Sequence, residues 1–265
     1  VIRPLLGVTR TEIERYARAE GVESRDDRTN KDTSRARNLI RLEVMPLLLR
    51  INPAAVKAMA SLAAIAGEEG AVLEELAADA AAVASVARGS LLRAYALDRL
   101  QAVCAPVLKR MLIDTVAQVD RGMRGMAMKQ VNMLVGVVEG KAAAHEIGRR
   151  VRVCSTGGLL CVHRIARPPY YALSLSDAGP CEVFVPETGW TVRVRVPVAC
   201  PEGRVLRSWM PGDRVRGHKA AGIMAGLGVP EALRPFWPVL ATGGCLAAVA
   251  EGDPKTGGLV LGRGS

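Results

Sequence analysis

The stretch "RRVRVCSTGGLLCVHRI", from Arg149 to Ile165, marks a change of pattern in a chain of 265 residues. Two short runs rich in valine, leucine and cysteine flank Ser155–Gly158, whose residue types favour a tight turn. The stretch therefore predicts a strand, a turn and a second strand. Farther along, "WTVRVRVPV", from Trp190 to Val198, alternates valine with arginine, which predicts a strand with one buried side and one side in solvent.

Before this hairpin, apolar residues recur at helical spacing. Thr9–Glu20 predicts a short helix whose capping box pairs Thr9 with Glu12. A second helix is predicted from about Arg35 to Leu49, with Ser34 or Asp32 as its N-cap. Residues 54–140 predict an all-helical block. Its later helices are predicted at Arg93–Val103, Val107–Ala117 and Met126–Val138.

The remainder of the chain is rich in glycine and proline and predicts short strands around one helix, Gly217–Gly228. Together these segments predict a multi-domain α+β protein. We expect domains at residues 1–53, at 54–168, which is mainly helical and ends in the β-hairpin, and at 180–265, a small α+β domain. The candidate linker is Arg167-Pro168-Pro169.

The charge balance points to polyanionic partners. Thirty-six basic residues outnumber 26 acidic ones, which gives a formal net charge of +10. Such a balance favours binding to polyanions, and nucleic acid is the commonest of them. A soluble basic protein without such a partner has the same composition, so the charge alone leaves both interpretations open.

Cysteine spacing and hydropathy indicate whether the protein binds zinc, keeps its thiols reduced or spans a membrane. The six cysteines form no Cys-x-x-Cys pair, and the three histidines are far apart, so we predict reduced thiols and no zinc site. The longest charge-free stretch, Pro235–Ala250, is too short and too interrupted to span a bilayer. We expect a cytoplasmic protein. Because the sequence begins at Val1 rather than at methionine, we also expect an N-terminal part outside it.

The first candidate site is the charged stretch "SRDDRTNKDTSRARNLIRLEVMP", from Ser24 to Pro46. Asp27 and Asn30 lie on a predicted loop, and Arg37, Asn38 and Arg41 follow on the predicted helix. Arg37 and Arg41 are four residues apart and therefore share a helical face, and the planar arginine fork suits phosphate. The alternative is a polar loop whose acids and bases pair with one another.

The second candidate site lies between Leu206 and Leu240, around the turn Pro211-Gly212-Asp213. The basic residues near this turn are Arg207, Arg214, Arg216, His218, Lys219 and Arg234. They predict a surface that binds polyanions, although a turn followed by an exposed helix end has the same sequence features. Neither of the two common glycine-rich phosphate loops is present, and the spacings support no Ser-His-Asp or Cys-His arrangement.

Taken together, the two stretches resemble one family, the tRNA(Ile)-lysidine synthetases. The first set of matching residues is Arg3-Pro4-Leu5, Asp27-Arg28-Thr29-Asn30, Arg37-Asn38-Leu39-Ile40-Arg41, Pro46 and Asn52-Pro53. The second set is "LRSWMPGDRV" from Leu206, followed by Lys219, Gly228-Val229-Pro230, Arg234 and Pro238. The family's Ser-Gly-Gly-x-Asp-Ser phosphate loop is absent from this sequence. Its lysine-rich helix after Pro-Gly-Asp-Arg is reduced here to Lys219.

This resemblance implies an ATP-dependent ligase that modifies tRNA. ATP adenylates the C2 oxygen of the wobble cytidine in the isoleucine tRNA with a CAU anticodon, and free lysine then displaces AMP. ATP and Mg²⁺ are implied as cofactors and are bound mainly by the missing N-terminal part, and a homodimer is compatible with the sequence. By the same resemblance, residues 1–53 are the C-terminal remnant of an α/β ATP-pyrophosphatase domain, the nucleotide-binding catalytic domain.

The resemblance also implies roles for the candidate residues. Arg37, Arg41 and Asn38 support the active centre, with Asp27 and Asn30 on the adjoining loop. The tRNA-binding residues are Arg207, Arg214, Lys219 and Arg234. A standalone basic RNA-binding module without catalytic activity is the main alternative. A related ATP-pyrophosphatase such as a tRNA thiolase is less favoured, because such enzymes usually use cysteine pairs or zinc-like clusters.

Overall fold

A computed structural model describes residues 4–5, 7–22, 32–123, 125–166, 169–175, 179–195, 203–242, 245–253 and 258–261. The chain divides into two compact units, Val1–Glu68 and Glu69–Ser265. The described residues combine helices with sheets whose strands pair mostly antiparallel, which agrees with the predicted α+β class.

The first unit is helical. Helix α1, Arg10–Ala19, has the predicted capping box, in which the backbone N–H of Thr9 donates to Oε2 of Glu12 at 2.8 Å. The predicted second helix is also present. It consists of α2, Ala36–Leu39, a π-helical turn, Ile40–Val44, and α3, Met45–Ile51.

The π-helical turn lies directly before Pro46. Proline has no N–H to donate to the carbonyl four residues earlier, and its ring crowds that carbonyl. A wider turn relieves this conflict, and the N–H of Met45 donates to the carbonyl of Ile40, five residues back. Proline thus occupies the first turn of α3, where its missing donor costs little.

The predicted helical block is interrupted by two strands. The elements of this region are α4, Ala55–Ala84; β1, Ser85–Arg88; β2, Leu92–Ala96; α5, Leu97–Gln101; α6, Ala105–Val119; and α7, Met128–Val138. The predicted helix Arg93–Val103 is therefore wrong over its first part. Strand β2 pairs with strands on both sides, and this non-local pairing outweighs a local pattern that fits either period. The predicted helices in α6 and α7 are confirmed.

The predicted hairpin is confirmed as β4, Val151–Thr156, and β5, Leu159–Arg164. Its two-residue turn consists of Gly157 and Gly158, whose φ angles are 55° and 74°. Two successive positive φ angles match the right-handed twist of a hairpin, and glycine adopts them without a steric penalty. With β3, Ala144–Ile147, these strands complete a five-stranded sheet in the order β1-β2-β5-β4-β3.

Both faces of this sheet are covered. On one face, Tyr95, Leu160 and Val162 join a hydrophobic cluster with side chains of α6 and α7. On the other face, Leu92 and Cys161 belong to a second cluster that includes Trp190 and Trp237 from the C-terminal part of the chain. The second cluster therefore contains described residues from both sides of the predicted boundary at 168–180, and the domain boundaries stay a prediction.

The C-terminal part forms two further sheets. Its elements are β6, Ala172–Leu175; β7, Cys181–Val185; β8, Trp190–Val194; β9, Arg204–Ser208; β10, Arg214–Val215; β11, His218–Lys219; α8, Ala220–Gly226; a 3-10 helix, Glu231–Phe236; β12, Pro238–Thr242; β13, Cys245–Val249; and β14, Gly258–Leu261. The sheet orders are β11-β10-β13-β12-β9-β6 and β14-β8-β7. The strand predicted from Trp190 and the helix predicted within Gly217–Gly228 are confirmed.

A helix that crosses a bilayer needs a long apolar stretch. Among the helices that the structure describes, none is by itself long and apolar enough to cross a membrane. The bent pair Ala36–Ile51 and Ala55–Ala84 meets that criterion only when its two members are combined, and only by length and composition.

Candidate functional site

The N-terminal candidate site is built around a locked turn before α2. The amide Nδ2 of Asn38 donates to the backbone carbonyl of Asp32 at 2.9 Å, and Asn38 is only 9% exposed. The Asp32 carboxylate accepts from the backbone N–H and the hydroxyl of Ser34 at 3.0 and 2.6 Å. These hydrogen bonds lower the pKa of Asp32. Asp32 thus closes its own turn. Arg35, and not the predicted Ser34 or Asp32, holds the N-cap position, with no side-chain capping hydrogen bond.

The two candidate arginines follow this turn. Arg37 lies in α2, Arg41 lies in the π-helical turn, and both side chains are exposed. Asn38 fixes the backbone from which they project, so its observed role is structural. Asp27 and Asn30 lie outside the described residues. The predicted contacts between that loop and the arginines stay a prediction.

The C-terminal candidate site is organised by a buried ion pair. The Arg207 guanidinium donates from Nη1 to Oδ2 of Asp213 at 2.8 Å and from Nη2 to Oδ1 at 2.9 Å. The two side chains are only 13% and 11% exposed. The same carboxylate accepts the backbone N–H of Met210 at 2.8 Å, and Arg207 also donates to the Ser208 carbonyl at 2.9 Å. Arg207 therefore holds the Pro-Gly-Asp turn in place, and its predicted contact with RNA stays a prediction.

Electrostatics show how firmly this turn is held. Burial by itself raises the pKa of the Asp213 carboxyl, because it disfavours the charged form. The hydrogen bonds from Arg207 and Met210, with the positive charge of Arg207, outweigh that effect and leave the pKa of Asp213 below its ordinary value. The charged pair is therefore the stable state at neutral pH.

The hairpin β10–β11 brings two of the predicted tRNA-binding residues together. Arg214 and Lys219 are directly opposite each other in the antiparallel register, and both are exposed. They line a cavity of about 260 Å³, together with Trp209, Asp213 and neighbouring residues of the turn. Arg214 and Lys219 carry like charges, which repel each other across the hairpin. Neither side chain neutralises the charge of the other, so the hairpin carries two positive charges.

Trp209 also lines this cavity. Its indole Nε1 is buried and has no hydrogen-bond partner within the part of the chain that the structure describes. The two exposed cations, Arg214 and Lys219, suit an anion with several acceptor oxygens, for example a phosphate.

The fourth predicted residue, Arg234, is placed differently. It lies in the 3-10 helix and its Nε donates to the carbonyl of Val229 at 3.1 Å. Arg234 does not line the cavity that contains Arg214 and Lys219. Of the four predicted tRNA-binding residues, Arg214 and Lys219 therefore lie together as exposed cations. Arg207 makes an ion pair within the protein, and Arg234 lies outside this cavity.

A larger cavity, of about 500 Å³, lies beside the β4–β5 hairpin and was missed in the sequence. Cys154, His163, Arg152 and Tyr170 are among its lining residues. Linear spacing gave no Cys-His arrangement, but the hairpin register does. Arg152 pairs with His163, and Cys154 pairs with Cys161 two positions nearer the turn. Pairing the residues of the two strands outward from the Gly157-Gly158 turn would have predicted this cluster from the sequence.

A bound metal ion needs several ligating side chains in one place. Across the described residues, no group of three or more histidine, cysteine, aspartate or glutamate side chains is arranged to hold a metal ion.

Several known proteins are similar in sequence to this chain. A family model described as a PP-loop domain matches residues 1–48, which include Arg37 and Arg41. A curated tRNA(Ile)-lysidine synthase from Shigella flexneri is 29% identical over 271 residues, which cover 94% of this chain and 60% of the relative. Another, from Thermus thermophilus, is 33% identical over 247 residues, which cover 92% of this chain and 41% of the relative. This chain is similar to the tRNA(Ile)-lysidine synthases over most of its own length.

The match to tRNA(Ile)-lysidine synthases includes shorter, more similar segments. The protein of that name from Dehalococcoides mccartyi is 34% identical over 152 residues, 57% of this chain and 31% of the relative. The chain spans less than two thirds of the length of these tRNA(Ile)-lysidine synthases. The resemblance drawn from the Arg37–Arg41 and Pro-Gly-Asp-Arg motifs is confirmed.

Proposed function

We propose that this chain is part of a tRNA(Ile)-lysidine synthetase. That enzyme is an ATP-dependent C–N ligase, which joins free lysine to C2 of the wobble cytidine in the isoleucine tRNA with a CAU anticodon through an adenylated intermediate. The observation that carries the proposal is similarity to tRNA(Ile)-lysidine synthases over 94% of the chain. The PP-loop match at residues 1–48 supports the use of ATP.

In this proposal, the locked turn before α2 serves the adenylation centre. Arg37 and Arg41 are exposed, while Asn38 and Asp32 fix the backbone that carries them. Fixed cations stabilise negative charge that develops on a phosphate without reorganising during the reaction. By the motif that they share with the family, Asp27 and Asn30 belong to the same adenylation centre.

ATP would be bound mainly by the phosphate loop that this sequence lacks. Mg²⁺ would offset the charge of the triphosphate. By the family resemblance, the protein ligands of Mg²⁺ are assigned, like the phosphate loop, mainly to the N-terminal part of the enzyme.

The cavity at the Pro-Gly-Asp turn is proposed to hold a backbone phosphate of the tRNA. Arg214 and Lys219 supply the positive charge, and Trp209 lines the cavity beside them. Arg207 contributes indirectly, because its bond to Asp213 sets the position of the turn. Arg234 is proposed to contact the tRNA outside this cavity.

The domain division at residues 1–53, 54–168 and 180–265 is part of the same proposal. The end of the PP-loop match at residue 48 supports the first boundary. In this scheme the first part completes the catalytic domain and the other two bind tRNA. A cytoplasmic location and a homodimer are proposed on the same family resemblance.

The tRNA-binding role is tested by measuring binding of the whole chain to the isoleucine tRNA over a range of salt concentrations. Arg214→Ala is expected to weaken binding and to reduce the slope of log affinity against log salt by about 1, because one phosphate contact is lost. Arg193→Ala is the matched control, since Arg193 is an exposed arginine on a different sheet, paired with Glu182. An unchanged salt slope for Arg214→Ala would remove the phosphate contact from the proposal.

The catalytic role is tested in the enzyme that carries this chain together with the Ser-Gly-Gly-x-Asp-Ser loop. Arg41→Ala is expected to lower lysidine formation by roughly 100-fold, as loss of one stabilising donor does, and to change tRNA affinity little. Equal losses of both would assign Arg41 to tRNA binding. A standalone RNA-binding module would show tRNA binding and no lysidine formation in any context.

A further inference from the structure

The β4–β5 hairpin places two cysteines face to face. Cys154 and Cys161 are directly opposite each other in the antiparallel register, so their side chains lie on the same face of the sheet. Directly opposite residues have Cα atoms roughly 4.5–5.5 Å apart, which lies within the range that disulfides span. The pair is also close to the tight Gly157-Gly158 turn, so its register is fixed by the hairpin.

The two thiols have different surroundings. Cys161 is 0% exposed and belongs to the hydrophobic cluster behind the sheet. Cys154 is 5% exposed and lines the 500 Å³ cavity, where His163 and Arg152 are its neighbours. A small solute that enters the cavity therefore reaches Cys154 and not Cys161.

The pKa values of the two thiols also differ, and the lower one belongs to the thiol that lines the cavity. The hydrogen bond from Cys161 contributes most to lowering the pKa of Cys154 to about 5; burial opposes it, and His163 and Arg152 add to it. The hydrogen bond to Cys154, together with burial, raises the pKa of Cys161. The proton therefore stays on Cys161, and the thiolate is on the cysteine that faces the cavity. Thiolates and not thiols are the nucleophiles of cysteine chemistry.

We propose that Cys154 and Cys161 form a redox-active pair that hydrogen peroxide converts to an intrachain disulfide. This site is independent of the proposed function, since it lies in neither the Arg37–Arg41 segment nor the Pro-Gly-Asp turn.

The reaction has two steps. The Cys154 thiolate attacks one oxygen of the peroxide, an S–O bond forms, the O–O bond breaks, and the leaving hydroxide takes up a proton to become water. Sulfur of Cys161 then attacks sulfur of the Cys154 sulfenic acid. The S–S bond forms, the S–O bond breaks, and the departing hydroxide leaves as water with the Cys161 proton. Two thiols are oxidised and one peroxide is reduced to two waters.

The unmodified chain provides the first test. Trypsin cleavage after Arg152 and Arg164 releases Val153–Arg164, a single peptide that contains both cysteines. After brief peroxide treatment and alkylation, we expect this peptide to be lighter by two hydrogen atoms and closed to alkylation, while Cys104 and Cys245 remain alkylated. Those two thiols are exposed and serve as internal controls. Oxidation of Cys104 and Cys245 with both thiols of Val153–Arg164 intact would overturn the proposal.

Substitutions separate the two roles. In Cys161→Ser, the sulfenic acid of Cys154 is expected to persist and to be trapped by dimedone. In Cys154→Ser, Cys161 is expected to remain a thiol, and Cys245→Ser is the control that should oxidise like the original chain. Rapid oxidation of Cys161 in Cys154→Ser would overturn the assignment of Cys154 as the attacking thiolate. If a variant fails to fold, as its circular dichroism would show, the peptide mapping of the unmodified chain decides.

Discussion

Two hairpins of this protein place like side chains directly opposite each other, one pair buried and the other exposed. In β4–β5 the pair is Cys154 and Cys161, both buried, and the proton stays on Cys161 while Cys154 is the thiolate. In β10–β11 the pair is Arg214 and Lys219, both exposed, and each cation keeps its charge in water.

The comparison shows that the neighbours of a cross-strand pair, and not its register alone, decide its chemistry. Burial raises the pKa of both thiols, and the lowered pKa of Cys154 comes from Cys161, His163 and Arg152 beside it. At the surface the charges persist and attract a counter-ion. The same register therefore gives the proposed nucleophile in one hairpin and two exposed cations in the other.

The largest expected effect comes from removing the support of the surface hairpin. Asp213→Ala leaves the Arg207 guanidinium buried without its partner, and we expect a loss of about 3 kcal/mol in the free energy of unfolding. Urea unfolding measures this. Glu182→Ala, which breaks the exposed pair with Arg193, is the control and should cost less than about 1 kcal/mol.

The pH dependence of that pair gives an independent check. The pKa of Asp213 is lower in the folded chain than its ordinary value. Its stabilising contribution is therefore complete above the ordinary carboxyl pKa and is lost as the pH falls through the lowered pKa. Asp213→Ala should flatten this part of the profile of stability against pH, and an unaltered profile would contradict the assignment.

The second effect tests the two turns. Gly157→Ala is expected to destabilise the chain by about 2 kcal/mol, because φ is positive and the new Cβ would lie 2.9 Å from Cγ of Pro230. Gly217→Ala, in the β10–β11 turn, has a positive φ but meets no atom within 4 Å. Its cost should be about 1 kcal/mol. Equal losses of stability would show that the β4–β5 turn is no more constrained than the other.

The third effect tests the buried thiolate. Because the pKa of Cys154 is lowered to about 5, its thiolate exists above that pH and is protonated below it. At pH near 6, iodoacetamide should modify Cys154 roughly tenfold faster than Cys245, after normalising each to the unfolded chain. His163→Gln should reduce that difference. A Cys154 rate that falls steeply between about pH 8 and pH 6 would contradict the predicted thiolate.

The smallest effect tests the repulsion between the exposed cations. Lys219→Ala removes one of the two opposed charges and is expected to raise stability by roughly 0.3 kcal/mol at low salt. The gain should vanish at high salt, where exposed charges are screened. Thermal unfolding at two salt concentrations measures it. A loss of stability at low salt would mean that Lys219 makes a favourable contact in the free protein.

Local pattern was sufficient for most elements of the fold. The capping box of α1, helices α6 and α7, the β4–β5 hairpin and strand β8 were all predicted from spacing and turn residues. Strand β2 was not, because it is a strand only through its pairing with β1 and β5. A segment of five residues carries too few positions to distinguish the strand period from the helix period.

The sequence by itself determined the family resemblance, the basic character, and the two motifs that contain Arg37–Arg41 and Pro-Gly-Asp-Arg, since these depend on residue types in order along the chain. Only the tertiary structure decided what each residue does. It assigned Arg207 to a buried bond with Asp213, left Arg214 and Lys219 facing a cavity, and joined Cys154 to Cys161 and His163. Burial and cross-strand register determine these roles, because they set which charges are neutralised and which groups meet, and neither is written in linear spacing.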